Sequence, residues 1–270
     1  MRSARRTFAV LSNQSVFVVV PARNESERIG RVIGTMPAFV DGIVVVDDAS
    51  TDETARRAWE CGDARVVVER HADNRGVGAA IVTGYRASVA RGADVVAVMA
   101  GDAQMDPADL EAVVTPVIRS DADYVKGNRF RHTAVKAMPL PRRVAGRALA
   151  FATRLATGLD VHDSQCGYTA LSRDAILSLP LEDLWPRYGY PNDLLALLAR
   201  GGFRVAEVPI RPVYAGEASG IRPWHALVVL GLLARRRMEP RPKRRSPARS
   251  SRRPSGGRDG GRSSGRARPS

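Results

Sequence analysis

The chain has 270 residues, 44% of them hydrophobic, which is enough for one large domain or two small ones with a packed core. The formal net charge is +14, but residues 235–270 hold fourteen Arg/Lys and two acidic residues, a net +12 that leaves only +2 for residues 1–234. The positive charge is therefore concentrated in residues 235–270, and residues 1–234 are nearly neutral. With two cysteines, the composition argues against a disulfide framework and favours a reducing cytoplasm, and no apolar run reaches the roughly 18 to 20 residues that span a bilayer.

Strand patterns alternate with helical patterns through most of the chain. Apolar, β-branched runs predict strands at residues 16–21, 43–46, 64–69 and 95–98, and helical patterns follow at 26–36, 51–61, 74–91 and 107–118. Later patterns predict a strand at 123–130, helices at 141–157 and 191–200, and a strand at 203–210. This order predicts an α/β fold with a mostly parallel, right-handed sheet and helices on both faces.

Polar residues follow the central predicted strand, residues 95–98, after Met99 and two small residues, Ala100 and Gly101. Asp102 and Gln104 lie two residues apart on an extended segment, so their side chains leave from the same side. Ligands bind at the carboxyl ends of strands in such sheets, and these oxygen donors suit Mg²⁺ or Mn²⁺ carrying a diphosphate. The alternative is a strand that ends in an Asx turn, with Pro107 opening the next helix.

Two other segments follow predicted strands. Asp48 is placed to accept hydrogen bonds from a ribose or base, or alternatively to cap the next helix. In Asn74-Arg75-Gly76-Val77-Gly78, glycines at a helix start would let a phosphate approach the backbone amides, although the spacing is not that of a P-loop.

Six short pieces, weak singly but specific in their order, carry a likeness to a known family. They are Val20-Pro21-Ala22-Arg23-Asn24-Glu25, Val46-Asp47-Asp48-Ala49-Ser50-Thr51-Asp52, Asn74-Arg75-Gly76-Val77-Gly78, Asp102-Ala103-Gln104, Gly127-Asn128-Arg129-Phe130 and Asp163-Ser164-Gln165-Cys166-Gly167-Tyr168. Over residues 15–222 the chain resembles the inverting GT-A glycosyltransferases, and most closely their dolichyl-phosphate-mannose-synthase-like branch.

The resemblance implies a GT-A, Rossmann-like fold and a hexose transfer from a nucleotide-diphosphate sugar of the GDP-mannose or UDP-glucose type to a polyprenyl phosphate. It implies Mg²⁺ or Mn²⁺ held by Asp102 and Gln104. The residues expected to contact the nucleotide sugar are Pro21, Ala22, Glu25, Asp48, Gly76 and Asp102. Two departures stand out: Ala100 occupies the position of a frequent family Asp, and Arg75 precedes the glycines in place of a Lys between them.

The acceptor decides which other groups the chemistry needs. A lipid phosphate is already ionised near pH 7, so positioning cations matter more than a base, and Arg129, Arg142 and Arg143 are the candidates. Each could equally lie on a solvated helix face. For a hydroxyl acceptor, Asp193 becomes the candidate base, or alternatively a residue that compensates a helix dipole. A soluble-acceptor transferase, or a nucleotide-sugar-binding protein that lost activity through Ala100, remain the alternative functions.

Four regions are expected along the chain. An extension covers residues 1–14 and the glycosyltransferase domain covers 15–222. Residues 223–234 form an apolar helix that either lies in a membrane interface or packs on the core, and residues 235–270 form a disordered basic tail. The tail lacks aromatic stacking residues, so an anionic membrane is a better partner for it than nucleic acid. The expected location is cytoplasmic, peripheral on the inner face of the cell membrane.

Overall fold

The structure is a computed structural model that describes residues 14–213 and 224–239. Its strands are β1 (Val16–Ala22), β2 (Gly42–Asp47), β3 (Val66–Arg70), β4 (Val95–Val98), β5 (Tyr124–Asn128), β6 (Thr169–Ser172) and β7 (Val205–Pro209). Its α-helices are α1 (Ile29–Gly34), α2 (Thr54–Trp59), α3 (Val77–Ala90), α4 (Leu110–Ile118), α5 (Leu140–Thr157), α6 (Arg173–Ser178), α7 (Tyr190–Gly201) and α8 (Trp224–Met238).

The seven strands form one sheet in the order β3-β2-β1-β4-β6-β5-β7. All neighbours are parallel except β6, which runs antiparallel to both β4 and β5. The central strands β1, β2 and β4 are buried over their full length, as expected for apolar strands covered on both faces. The predicted α/β fold with a mostly parallel sheet is confirmed.

Helices cover both faces of the sheet, each with its own apolar core. On one face α1 and α4 bury residues such as Ile29 and Leu110 against alternate positions of β1 and β2. On the other face α3 and α7 bury Tyr85 and Leu195 against the intervening positions. The alternation follows from the strand period of two, which sends successive side chains to opposite faces.

Strand β6 and helix α6 were not predicted. Strand β6 enters the sheet between β4 and β5, so its first residue, Thr169, lies opposite Val98 at the carboxyl end of β4. An antiparallel strand therefore delivers the preceding loop, residues 163–168, to the same sheet edge as the ends of the parallel strands.

The C-terminal helix is part of the folded body. Its inner residues Val229 and Leu233 pack with Ala196 of α7, so the core-packing alternative is right for this side. Its outer side exposes Trp224, Leu227 and Leu230. The expected boundary at residue 234 is wrong, because α8 continues through the arginines to Met238.

None of the helices in the described part of the chain has the length and apolar content needed to cross a bilayer. The predictions for residues 1–13 and 240–270 lie outside the described residues.

Candidate active site

The carboxyl ends of β1, β2 and β4 meet at one edge of the sheet. The Gly101 N–H donates to the Pro21 carbonyl at 3.1 Å, and the Asp48 N–H donates to the Ala22 carbonyl at 2.9 Å. A Cβ on Gly101 would lie 3.1 Å from the Ala22 Cβ, so small residues are what allow this approach. The structure therefore brings Pro21, Ala22, Asp48 and the Asp102 loop side by side.

The loop after β4 holds Asp102 in a defined conformation. The Gln104 N–H donates to Asp102 Oδ1 at 3.0 Å, which closes an Asx turn around Ala103, a residue with a φ of 59°. Asp106 caps the short helix that Pro107 opens. The alternative of an Asx turn followed by a helix that Pro107 opens is therefore present. It does not exclude a ligand site, since Asp102 and Gln104 are both half-buried at the sheet edge.

The loops after β1 and β2 are tied to each other. The Asn24 N–H donates to Ser50 Oγ at 3.0 Å, and the Glu25 N–H donates to Thr54 Oγ1 at 2.7 Å. The Glu25 carboxylate pairs with Arg28 at 2.8 Å and is half-buried. Glu25 therefore lies in a braced loop next to Ala22, where the sequence predicted a nucleotide contact.

Asp48 secures the glycine loop to the end of β2. Its Oδ1 accepts from the Arg75 N–H at 2.8 Å and contacts His71 Nδ1 at 2.8 Å, while its Oδ2 accepts from the Gly76 N–H at 2.7 Å. Burial raises the pKa of Asp48, but these hydrogen bonds together outweigh it and hold the pKa below its ordinary value. The helix-capping alternative is wrong, because Asp52 receives the Thr54 N–H instead. A contact between Asp48 and the nucleotide stays a prediction.

The predicted phosphate site at the start of α3 is wrong. The Gly78 N–H donates to the Pro186 carbonyl at 2.8 Å, and the Gly76 N–H is taken by Asp48. A Cβ on Gly76 would lie 2.4 Å from the Pro186 oxygen, and a Cβ on Gly78 would lie 2.4 Å from the Trp185 oxygen. The glycines therefore admit a neighbouring loop, and the Gly76 and Gly78 amides are already engaged; a contact between Gly76 and the nucleotide sugar stays a prediction.

Arg129, at the end of β5, is fixed by a residue that the prediction did not include among the site residues. Its Nε and Nη2 donate to Asp163 at 2.8 and 2.9 Å, a bidentate pair in which the acid is fully buried. Burial raises the pKa of Asp163, but Arg129 and its hydrogen bonds outweigh it and lower the pKa overall. Asp163 opens one of the six sequence pieces, and its place in that piece was the signal that could have identified it.

Lys126 is a second buried group that sequence reasoning missed. It lies on β5, is fully buried, and donates from Nζ to the Cys166 carbonyl. Burial, with help from the charge of Arg129, lowers the pKa of Lys126. The ammonium thereby anchors the loop that leads into β6.

Tyr188 belongs to a polar cluster on which the charges of Arg142 and Arg129 act. The Tyr188 hydroxyl donates to Gln165 Oε1 at 3.0 Å, and Gln165 Nε2 donates to Asn192 Oδ1 at 2.6 Å. Burial raises the pKa of Tyr188, and the charges of Arg142 and Arg129 oppose the rise, which locates both cations near the phenol. Arg143 is half-buried, and its Nε has no hydrogen-bond partner among the described residues. Two of the three predicted acceptor cations therefore lie around one polar cluster.

The prediction of Asp193 as a base is wrong. Asp193 is fully buried at the start of α7, where Oδ1 accepts from Arg236 Nε at 2.6 Å. Its Oδ2 accepts from Arg236 Nη2 at 2.9 Å and from the Trp185 N–H at 2.8 Å. A carboxylate held by three donors and closed to solvent is not placed to take a proton from an acceptor. Arg236 is likewise buried, so it does not reach a membrane headgroup.

The sequence pattern of the family described as "Glycosyl transferase family 2" matches residues 17–179. The match covers more than half of the chain and the carboxyl ends of all the strands except β7. The chain belongs to this family. The resemblance inferred from the six sequence pieces is confirmed.

Relatives support the same assignment. A UDP-N-acetylglucosamine–dolichyl-phosphate N-acetylglucosaminyltransferase of Methanococcus voltae is 30% identical over 76% of this chain and 88% of its own length. An undecaprenyl-phosphate mannosyltransferase of Micrococcus luteus is 32% identical over 72% of this chain and 82% of its own. The glucosyl-3-phosphoglycerate synthase of Mycobacterium tuberculosis, solved with Mn²⁺, UDP and phosphoglyceric acid, superposes with a TM-score of 0.63 at 25% identity, covering 89% of this chain and 84% of that one.

Within residues 14–213 and 224–239, no three His, Cys, Asp or Glu side chains converge as a ready-made metal site. Magnesium is commonly held by only one or two carboxylates together with substrate phosphates. The donor set of this family 2 protein, Asp102 with Gln104, fits an ion of that kind.

Proposed function

We propose that this protein transfers a hexose from a nucleotide-diphosphate sugar to a polyprenyl phosphate. The observation that carries the proposal is the contrast between two predicted groups. Asp193, the candidate base, is held in a buried pair with Arg236, whereas Arg129 is oriented at the end of β5 by Asp163 and its charge acts, with that of Arg142, on the Tyr188 phenol. An ionised phosphate needs cations and no base, so this arrangement favours a phosphate acceptor. The names of the two relatives that use polyprenyl phosphates agree with it.

The donor would lie along the ends of β1, β2 and β4. Pro21, Ala22 and Glu25 would contact the nucleotide, with Asp48 beneath them holding the adjoining loop. Asp102 and Gln104 would hold Mg²⁺ or Mn²⁺, which supplies Lewis-acid stabilisation of the leaving diphosphate. The Asx turn at Asp102 supports this role, because it fixes one carboxylate oxygen before a ligand arrives.

The acceptor phosphate would lie between Arg129 and Arg142. The bidentate pair with Asp163 holds the Arg129 guanidinium in one orientation, so little ordering is left for the binding step. The attack of a phosphate oxygen on the anomeric carbon forms the new C–O bond as the bond to the nucleotide diphosphate breaks. The enzyme would act as a peripheral protein on the cytoplasmic face of the membrane that contains its acceptor.

A second candidate is a soluble phosphorylated acceptor. The structural neighbour solved with phosphoglyceric acid favours it, since the same cations could hold a small phosphate ester. In that case a hydroxyl attacks and a base is required, for which Asp193 is unsuitable. Loss of activity through Ala100 is the third reading.

The direct test is release of nucleotide diphosphate from GDP-mannose and UDP-glucose, with Mn²⁺ present, after donors have been ranked by thermal shift. The proposal predicts release that depends on added polyprenyl phosphate and stops with a chelator. Release stimulated by phosphoglyceric acid but not by polyprenyl phosphate would favour the second candidate. Donor binding without release under any condition would favour the third.

A further inference from the structure

Helix α5 carries an apolar stripe that the proposed transfer does not use. Leu140, Val144, Phe151 and Leu155 are 65%, 61%, 63% and 70% exposed. Their spacing of four, seven and four residues puts them on one side of the helix. Single exposed apolar side chains are ordinary, but four in a continuous row indicate a contact surface.

A row of arginines runs beside this stripe. Arg147 and Arg154 are exposed and lie within one turn of Phe151 on the same side of α5. Arg147 lies over the Phe130 ring, with its guanidinium carbon 5.6 Å from the ring centroid. The long apolar stems of these arginines can therefore border the stripe, while the guanidinium groups lie over Phe130 in one case and beside Asp160 in the other.

The arginines also line a cavity of about 360 Å³ between α5 and the segment after β5. Its lining includes Phe130, Arg131, Arg147, Phe151, Arg154 and His162. Two acidic residues are paired there: Asp160 lies 3.2 Å from Arg154 and 3.7 Å from His162, and the buried Glu207 side chain lies 3.4 Å from His162. Three arginines outnumber these two carboxylates, which leaves the cavity with a net positive charge, and Phe151 belongs to both the cavity and the stripe.

We propose that the stripe on α5 rests on a bilayer and that the adjoining cavity takes the phosphate headgroup of an anionic phospholipid. Charge complementarity selects this occupant, because an apolar row bordered by arginines matches the boundary between acyl chains and anionic headgroups. Exposed Leu227 and Leu230 on α8, which packs against α5, extend the same kind of surface. None of the residues that line the cavity belongs to the Asp102 loop, and the proposed lipid site goes beyond the transfer reaction.

The first experiment measures insertion in the full-length protein, without donor sugar. Phe151→Trp is mixed with vesicles of phosphatidylcholine and phosphatidylglycerol in which the lipids carry brominated acyl chains. Quenching beyond that of the wild type is expected. The matched control is Leu177→Trp, since Leu177 is 60% exposed on α6. Equal quenching of both variants and the wild type would overturn the proposal.

The second experiment measures the headgroup site. Arg147→Gln/Arg154→Gln should weaken binding to phosphatidylglycerol-containing vesicles about 25-fold, because each basic residue near an anionic leaflet contributes about 1 kcal/mol, a fivefold change. Arg56→Gln/Arg57→Gln on α2 is the charge-matched control and should change it far less. An equal loss of vesicle affinity in both variants would indicate only a general electrostatic attraction between the protein and the vesicle. Unchanged affinity in both variants would indicate that the protein attaches through another surface. Either result overturns the proposal.

A second copy of the chain is the rival occupant of the stripe. A dimer in solution that Phe151→Ser dissociates, with vesicle binding unchanged, would decide for it and against the membrane. Because these assays contain no donor, their failure would leave the proposed transfer untouched, and failure of the transfer assay would leave the lipid site standing.

Discussion

Arg236 of α8 and Asp193 of α7 form a buried bidentate ion pair, with Nε–Oδ1 and Nη2–Oδ2 distances of 2.6 and 2.9 Å. The pairing raises the pKa of Arg236 further, although burial opposes the rise. The pair joins the C-terminal helix to the helix that follows the Trp185–Gly189 loop. Breaking a buried pair by removing one partner leaves the other charge uncompensated, which costs about 3–5 kcal/mol.

Asp193→Asn should therefore lower stability much more than it lowers catalysis. We expect a loss of about 3–5 kcal/mol in chemical denaturation, and a kcat per folded molecule within about tenfold of the wild type. Loss of a true general base would instead lower kcat by about 10²–10⁴. A variant with wild-type stability and a kcat lowered to that extent would restore Asp193 as the base.

Two truncations test the same pair from the other side. Removal of residues 235–270 deletes Arg236 and should lower the free energy of unfolding by the same few kcal/mol. Removal of residues 240–270 keeps Arg236 and Glu239, so we expect an unchanged melting temperature. Calorimetry on both truncated proteins measures this difference in stability. Equal stability of the two would contradict a stabilising role of the Arg236–Asp193 pair.

Asp48 predicts a specific pH dependence. Its pKa is lowered in the folded protein, so its contribution to stability is present above the unfolded value of about 3.9 and is lost as the pH falls through the lower folded value. The melting-temperature gap between wild type and Asp48→Asn should be widest near neutral pH and should narrow below about pH 4. Exposed Asp73→Asn is the control. A gap that stays constant down to pH 3 would contradict this role of the carboxylate.

Asp102 is the group on which the proposed metal chemistry depends. Asp102→Ala should reduce kcat by at least about 10²–10³, the usual cost of removing one stabiliser of the developing charge. Ala100→Asp should lower the Mn²⁺ concentration needed for half-maximal turnover, because it supplies a second carboxylate next to the loop. Metal titrations of both variants measure this, and wild-type turnover by Asp102→Ala would rule out the assignment.

Arg142 tests the acceptor side of the proposed site. Arg142→Gln removes one charge-assisted contact, so the acceptor KM should rise by about 10-fold or more while the donor KM and the melting temperature stay the same. Arg86→Gln, on exposed α3 surface and paired with Glu182, is the matched control. A rise in donor KM instead would move Arg142 to the nucleotide side.

The parallel part of the sheet could be predicted because runs such as Ile43–Val46 are apolar throughout and are followed by helical patterns. Strand β6 could not, since Thr169–Ser172 is four residues long and its burial comes from β4 and β5, which are distant in sequence. The positions of Asp102 and Arg129 followed from strand ends. The partners of Gly76 and Asp193 did not, because Pro186 and Arg236 reach them through tertiary packing that no local pattern encodes.

The most direct measurement of the central claim is transfer of radiolabelled hexose into organic solvent, comparing a polyprenyl phosphate with the polyprenol of the same chain length. Because the proposed acceptor site supplies cations and the candidate base Asp193 is buried in an ion pair, label should enter the organic phase only with the phosphate. It should fall to background with Asp102→Ala. Equal labelling of the polyprenol and the polyprenyl phosphate would contradict a transferase directed to the phosphate. So would an enzyme that labels neither lipid but releases nucleotide diphosphate with a soluble acceptor.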